Sequence, residues 1–454
     1  MSMTTLTRRN LIKGLGAGSA LAAAAAPRMS FAADMYGDNI LIFVFLRGGQ
    51  DGLSFMAPMD GHPDRGHYEG LRLNGTQIPS ASLLPTADGW GLHPAAGPLI
   101  DLWTNQSLGI VQSVGLPWAN RSHFEAERYV ELGTPGDRFT TTGWLTRHLQ
   151  TAGNLPTSLP LPAVVTESTI RLSLLGEPTA TAMRYPKNFQ LDSSNYETEQ
   201  EAALTDIYGT DNLELNVAGT QALNAMQIIK AIDWNNYTPS NGAAYPVRLD
   251  NPANLTSFGY ELQIMAQLIK EDTGLRIGET DFGGWDTHNN QGNLTSDGGF
   301  WDQIRDLSEA IKAFFTDLDV TSPNGKSWAD RTTMLVYSEF GRRAYDNNDA
   351  GTDHGWGNNC MVVGGGVNGG QLYGDFLGLH EDDLYQGADV WATTDYRTVF
   401  SEILLKRLHQ YRMYHIFPEF EQSVYEAQET GIVSGSLHKP DWGNPEVLLR
   451  HGME

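Results

Sequence analysis

The feature that most limits what this chain can fold into is the unbroken apolar run Ile-Leu-Ile-Phe-Val-Phe-Leu, residues 40–46, which follows Asn39 and stops at Arg47-Gly48-Gly49. It lacks the alternation of a strand with one wet face, and it suits a strand covered on both sides. Similar runs follow at Leu108–Val114, Leu275–Phe282, Thr333–Tyr337 and Met361–Val363. Helical periodicity lies between them. Phe300, Ile304, Leu307, Ile311, Phe314 and Leu318 recur at steps of four and three, one apolar stripe, and Leu262, Met265, Leu268 and Ile269 form another. Alternating strands and helices imply an α/β fold, a mainly parallel sheet with helices on both faces. The main domain then covers residues 38–410. Residues 150–257, rich in Thr, Asn, Pro and Tyr, break the rhythm and read as an insertion or cap with one clear helix, Leu213 to Trp234. A further helix is expected over Asp395–Leu408, and residues 411–454 form a C-terminal extension, irregular from Ser434.

The amino terminus carries a different signal. Arg8-Arg9 stands before Leu11 and Ile12, a weakly apolar stretch runs from Leu15 to Ala26, and small residues follow from Ser30 to Ala33. Basic head, short apolar middle and small-residue cleavage zone make residues 1–33 a twin-arginine signal peptide, with the export machinery of that route as a partner and a periplasmic or secreted destination. The apolar stretch is short of the ~20 residues needed to span a bilayer, and no later stretch comes close, so no stable membrane span is expected. With Cys360 as the single cysteine, no internal disulfide can form, and the exported fold has to rest on its core.

Acids outnumber bases, 54 to 30, for a formal charge of −24. Removal of the signal takes away Arg8, Arg9, Lys13 and Arg28 and no acid, so the remaining chain is more acidic still. Such a field disfavours nucleic acid and anionic membrane surfaces. An anionic substrate requires a metal or local arginines to reverse the sign.

Four polar clusters follow strand-like runs and should emerge at the carboxyl edge of the sheet, where open α/β sheets bind ligands. Arg47-Gly48-Gly49-Gln50-Asp51-Gly52 frees Asp51 to coordinate a cation, or is a plain turn. In Asn120-Arg121-Ser122-His123-Phe124-Glu125, Ser122 and Glu125 have capping-box spacing; the same position gives a hydroxyl at a helix amino terminus, where an oxyanion would be held. Gly283-Gly284-Trp285-Asp286-Thr287-His288 places a carboxylate and an imidazole two residues apart, as ligands of zinc, manganese or iron or as an Asp–His pair. Ser338-Glu339-Phe340-Gly341-Arg342-Arg343, with Asp353-His354 a short loop later, joins acids, arginines and a histidine; the arginines serve an oxyanion or pair with Glu339 and Asp353.

The motifs LRGGQDGL, GLHP, NRSHFEAERY, GGWDTH, SEFGRR, GTDHGWGN, GGGVNGGQLYGD and TTDYR, in this order between about Leu41 and Leu408, resemble the exported bacterial family known as domain of unknown function 1501, which is grouped with the alkaline phosphatase and sulfatase superfamily. The resemblance implies a metal-binding role for Asp51, a nucleophile at Ser122, one metal held by Asp286 and His288, another by Glu339, and a final ligand at His354. Two departures stand out: Phe340 replaces the histidine that follows the strand-end acid, and Asp286 and His288 are closer together than in the superfamily. His123 or Asp353 are then substitute ligands. The expectation is a metal-dependent hydrolase of phosphate or sulfate esters, with Arg121 and Arg342 neutralising the transferred group and His123 or His354 as proton donor. From another class, Phe340 points to a catalytically silent binding or assembly protein on the same scaffold.

Overall fold

The computed structural model describes residues 38–435, without 154, 157–158, 192–194, 211–212 and 293–298, and Trp442 besides. The twin-arginine segment and most of the tail after Ser434 lie outside the described residues. The opening apolar run is β1 (Ile40–Leu46), with every residue buried. A strand sends successive side chains to opposite faces, so both faces of β1 need a core. Ile40, Ile42, Val44 and Leu46 enter one cluster, Leu41, Phe43 and Phe45 the other.

The other strands of the same sheet are β2 (Leu108–Gly115), β3 (Ala163–Val165), β4 (Ala180–Ala182), β5 (Ile277–Phe282), β6 (Thr332–Ser338), β7 (Asn358–Gly364), β8 (Leu372–Tyr373) and β9 (Thr394–Asp395). Their lateral order is β8-β2-β7-β6-β1-β5-β3-β4, with β9 also paired to β2. Neighbours are parallel except at β7, which is antiparallel to both β6 and β2, so the sheet is mixed. The reason is the connection. A parallel return needs a crossover to the far edge, and the chain between β6 and β7 contains no helix, turning back from the edge at which β6 ended. That reversal keeps residues 339–357 at the carboxyl edge.

Helices α1 (Gly97–Thr104), α4 (Ser257–Lys270) and α5 (Gly299–Leu318) cover the first face, and α2 (His123–Leu132), α3 (Trp144–Thr151) and α6 (Tyr396–Lys406) the second. The expected α5 stripe, Phe300 to Leu318, is wholly buried. The segment 150–257, expected as an insertion or cap, is partly woven into the sheet: β3 pairs with β5, and β4 extends the edge beyond it. Residues after 410 pack Met413, Ile416, Phe417, Phe420, Tyr425, Ile432 and Val433 into the second core. Buried Glu402 on α6 holds them there, accepting from the backbone N–H groups of Thr430, Gly431 and Val433.

Phe43 lies at the centre of the second core, its ring 5.7 Å from those of Trp144 and Phe400. Phe43→Ala should lower unfolding free energy by about 3–5 kcal/mol in chemical denaturation, because a cavity on the central strand cannot collapse.

Candidate functional site

β1, β2, β5 and β6 all end at one edge, and their loops meet there. Gly48, with φ of 120°, lies so close to the Trp285–Asp286 backbone that an added Cβ would come 2.5 Å from the Asp286 nitrogen. Glycine at this position lets the loop after β5 fold onto the loop after β1.

After β2 the chain reaches α2 through Asn120. The Asn120 side chain accepts from the Ser122 backbone N–H at 2.9 Å and donates to Glu125 at 3.2 Å. Ser122 occupies the N-cap position without a capping hydrogen bond from its side chain, so the expected capping box does not close. Its hydroxyl stands at the positive end of a ten-residue helix, next to His123.

His123 and His354 each pack at a tilt against buried Phe340, ring centroids 4.8 and 5.0 Å away. Each of three imidazoles is held through Nδ1 by an oxygen. His123 contacts Glu339 Oε1 at 2.6 Å, His288 contacts Asp353 Oδ1 at 3.0 Å, and His354 contacts the Arg121 carbonyl at 2.8 Å. A carbonyl or carboxylate oxygen accepts, so each Nδ1 carries a proton, and a ring with no second proton presents an Nε2 lone pair. Those lone pairs face one another. His354 Nε2 lies 2.9 Å from both His123 Nε2 and His288 Nε2. Asp286 Oδ1 is 3.4, 3.0 and 3.1 Å from the Nε2 atoms of His123, His288 and His354. Four electron-rich atoms at such separations repel unless a proton or a cation lies among them. Metal bonds of about 2.0–2.1 Å in a tetrahedron would put ligand atoms about 3.3 Å apart. His123, Asp286 and His354 therefore fit a divalent cation, with His288 Nε2 beside them. The Nδ1 partners are the oxygens that characteristically orient metal-binding histidines and raise their basicity.

Burial would raise the Asp286 carboxyl, but the Arg342 guanidinium and His354 hold it down at about 2. The hydrogen bond that His123 donates to Glu339 raises its pKa against burial, whereas burial lowers that of His354. A second group, His123, Glu127 and Glu339, sits behind the first. Burial pushes Glu127 up to about 7, although Arg47 is 3.0 Å away.

The structure assigns different parts to several residues expected as ligands or anion binders. Asp51 is fully buried, with its carboxylate gripped by both terminal nitrogens of Arg72 at 2.6 and 3.0 Å and by Gln291 at 2.9 Å. It fastens the loop after β1 and stands outside the imidazole cluster. Glu339 and Asp353 contact His123 and His288 at Nδ1 and so orient those rings, while Glu339 also keeps its expected place as a candidate ligand, in the second group with His123 and Glu127. Arg342 is buried and donates to the carbonyls of Gly48, Gly49, Thr352 and Trp285, with Asp286 at 2.6 Å. It positions Asp286 and is not open to a substrate oxyanion. The Arg121 guanidinium is paired with buried Asp389, and only its carbonyl reaches the cluster. Sequence reasoning missed Arg72, Gln291 and the role of Arg47, which binds Asp281, Glu127 and Glu131 together. Neither Arg72 nor Gln291 sits in a motif or at a strand end, so no local signal marked them.

The family model described as "Protein of unknown function (DUF1501)" matches residues 91–406. The chain belongs to this family. No curated protein matches it significantly. Among solved structures, the lipoteichoic acid synthase LtaP from Listeria monocytogenes is similar at 9% identity, with 86% of this DUF1501 chain and 81% of that one covered and a TM-score of 0.30. Among the described residues, no helix of this DUF1501 protein is long and apolar enough to cross a membrane.

Arg72→Met leaves Asp51 buried without its cation and should cost about 3–5 kcal/mol in denaturation experiments. Asp51→Asn in the same chain should recover part of that loss. Metal content of the folded double variant should equal that of the parent, because Asp51 is not a ligand; a fall in stoichiometry would return it to the ligand set.

Proposed function

We propose that this DUF1501 protein is an exported, metal-dependent hydrolase of phosphate or sulfate esters that reacts at the Ser122 hydroxyl. The observation that carries the reading is the convergence of Nε2 lone pairs and Asp286 beside an uncapped serine. The order of motifs resembling the alkaline phosphatase and sulfatase superfamily supports it. A divalent ion, zinc, manganese or iron, would be held by His123, His354 and Asp286, with His288 available, and would supply Lewis acidity to the hydroxyl and the ester. Ser122 would attack phosphorus or sulfur from the end of α2, its hydroxyl proton passing to solvent as the bond to the alcohol oxygen breaks and the alcohol leaves with a proton from water. A water would then cleave the Ser122 ester and free the phosphate or sulfate, while the N–H groups and dipole of the helix end favour the negative charge gathering there. Glu339, Asp353 and the Arg121 carbonyl keep the three rings in one tautomer, and Arg342 keeps Asp286 ionised and aimed. With both arginines committed to protein acceptors, charge on the transferred group falls to the ion and the helix end.

Phe340 favours a second reading. It closes the side of the cluster where the superfamily carries a further ligand, as expected of a binding protein that has lost the chemistry. Metal analysis after cytoplasmic folding separates the two. The hydrolase should hold stoichiometric metal, lose turnover of aryl phosphates or sulfates with a chelator and regain it on reconstitution. Ser122→Ala should keep the metal and lose on the order of 10³-fold or more in kcat, and His354→Ala should lose the metal itself. Absence of metal after reconstitution sinks the hydrolase.

The export route rests on residues 1–33 and is part of the proposal. Arg8→Lys with Arg9→Lys should leave the precursor uncleaved inside the cell, as read by fractionation and mass; normal processing would reject twin-arginine export.

A further inference from the structure

Three buried carboxylates between α2 and β5 are held by three consecutive residues. The turn Leu172–Leu174 lies against α2. Just before it, the Arg171 guanidinium donates to Asp281 at 2.7 Å. The Leu172 N–H donates to Glu131 at 3.2 Å, and the Ser173 hydroxyl and the Glu279 carboxyl share a short hydrogen bond. Glu131 belongs to α2, the helix that starts beside Ser122. Glu279 and Asp281, two residues apart, share one face of β5, the strand that leads to Asp286. Arg47, at the end of β1, closes the group from another side, donating to Asp281 at 2.5 Å and to Glu131 at 3.1 Å. Glu279, Glu131 and Asp281 are 0%, 3% and 9% exposed.

The charges in this group do not balance. Two guanidiniums face three carboxylates, and both are shared further, Arg47 with Glu127 and Arg171 with Glu167. Glu131 and Asp281 each have a guanidinium in contact. Among the described residues, Glu279 has none, and its Oε1 meets no donor at all. A buried carboxylate left ionised without a partner is costly. A metal cation would have to enter beside two guanidiniums, so a proton is the neutralising species that the surroundings favour. Burial first, and then the charges of Glu131 and Asp281, push the Glu279 carboxyl well above its ordinary value, against the opposing pull of Ser173 and Arg47. We infer that Glu279 is the protonated member of this group, and that its ionisation in alkali releases residues 171–174 from α2 and β5, making the turn a pH-sensitive latch. The proton passes to solvent, and the new carboxylate repels Glu131 and Asp281. β5 is paired on both sides in the sheet and α2 is anchored by Ala126, Tyr129, Val130 and Leu132, so the repulsion is relieved by moving the turn. The latch does not depend on the proposed hydrolase.

The test reads hydrogen exchange at the Leu172, Leu174 and Leu175 amides of the full chain, corrected for the intrinsic rate, from about pH 5 to about pH 10 in the parent and in Glu279→Gln. The parent should lose about 10-fold or more in protection at this turn as pH rises, reversibly, while the amides of β1 keep theirs. Glu279→Gln, an isostere of the protonated acid, should keep the turn protected throughout. Chemical denaturation gives a second readout with a fixed sign. An unfolded glutamic acid loses its proton near about pH 4.3, whereas folded Glu279 holds it to higher pH. The stabilisation is therefore complete below about pH 4.3 and is lost as pH rises through the folded value. Relative to Glu279→Gln, the folding constant of the parent should fall by up to about 10-fold per pH unit across that span. Protection that stays level in the parent, or falls equally in both chains, overturns the latch. So does a Glu279→Gln chain that fails to fold, since the ionised carboxylate would then be the form the structure requires.

Discussion

Burial of β1 on both faces is the constraint on which the remaining structure depends. A strand with no polar side chain can sit only in the middle of a sheet with helices above and below, and the pairing of β1 with β5 and β6 follows from that. Parallel pairing then brings the ends of all three strands to one edge. Each end opens into a polar loop, so Gly48, Asp286 and Glu339 come together across more than 200 residues of chain without any helix or strand having to bend. The return of β7 adds His354 to the same edge, because a chain that fails to cross over stays where it left the sheet.

The fold was legible because its signals are collective. Seven apolar residues in β1 and six positions on one stripe of α5 each give a periodicity that no single substitution would erase. The direction of β7 was not legible, since the short apolar run Met361–Val363 reads the same in either orientation and only the absence of an intervening helix distinguishes them. The strands of 150–257 were hidden for a different reason. β3 and β4 have three residues each, too few to show a period.

The site was legible at the level of loops and not at the level of roles. Asp286, His288, Glu339, Asp353 and His354 do gather at one edge, and His123 joins them. Which carboxylates face the centre depends on which N–H donors lie nearest, and those donors come from other strands. Glu339 is turned by the Gly48 N–H, 2.9 Å away, and by His123. Asp51 is claimed by Arg72, an arginine with no motif around it.

Arg342 shows how such a division of roles can be stable. A buried guanidinium with one nearby carboxylate would carry a large desolvation cost if its other donors were unmet. Here carbonyls from three loops meet them, and the same bonds join the loops after β1, β5 and β6. The remaining direction of the guanidinium is taken by Asp286 Oδ1, the oxygen that also faces the three imidazoles. An arginine free to bind substrate would have left Asp286 to rotate among those rings. By closing on the backbone, Arg342 gives up a place at the substrate and fixes the carboxylate that a cation at this centre requires.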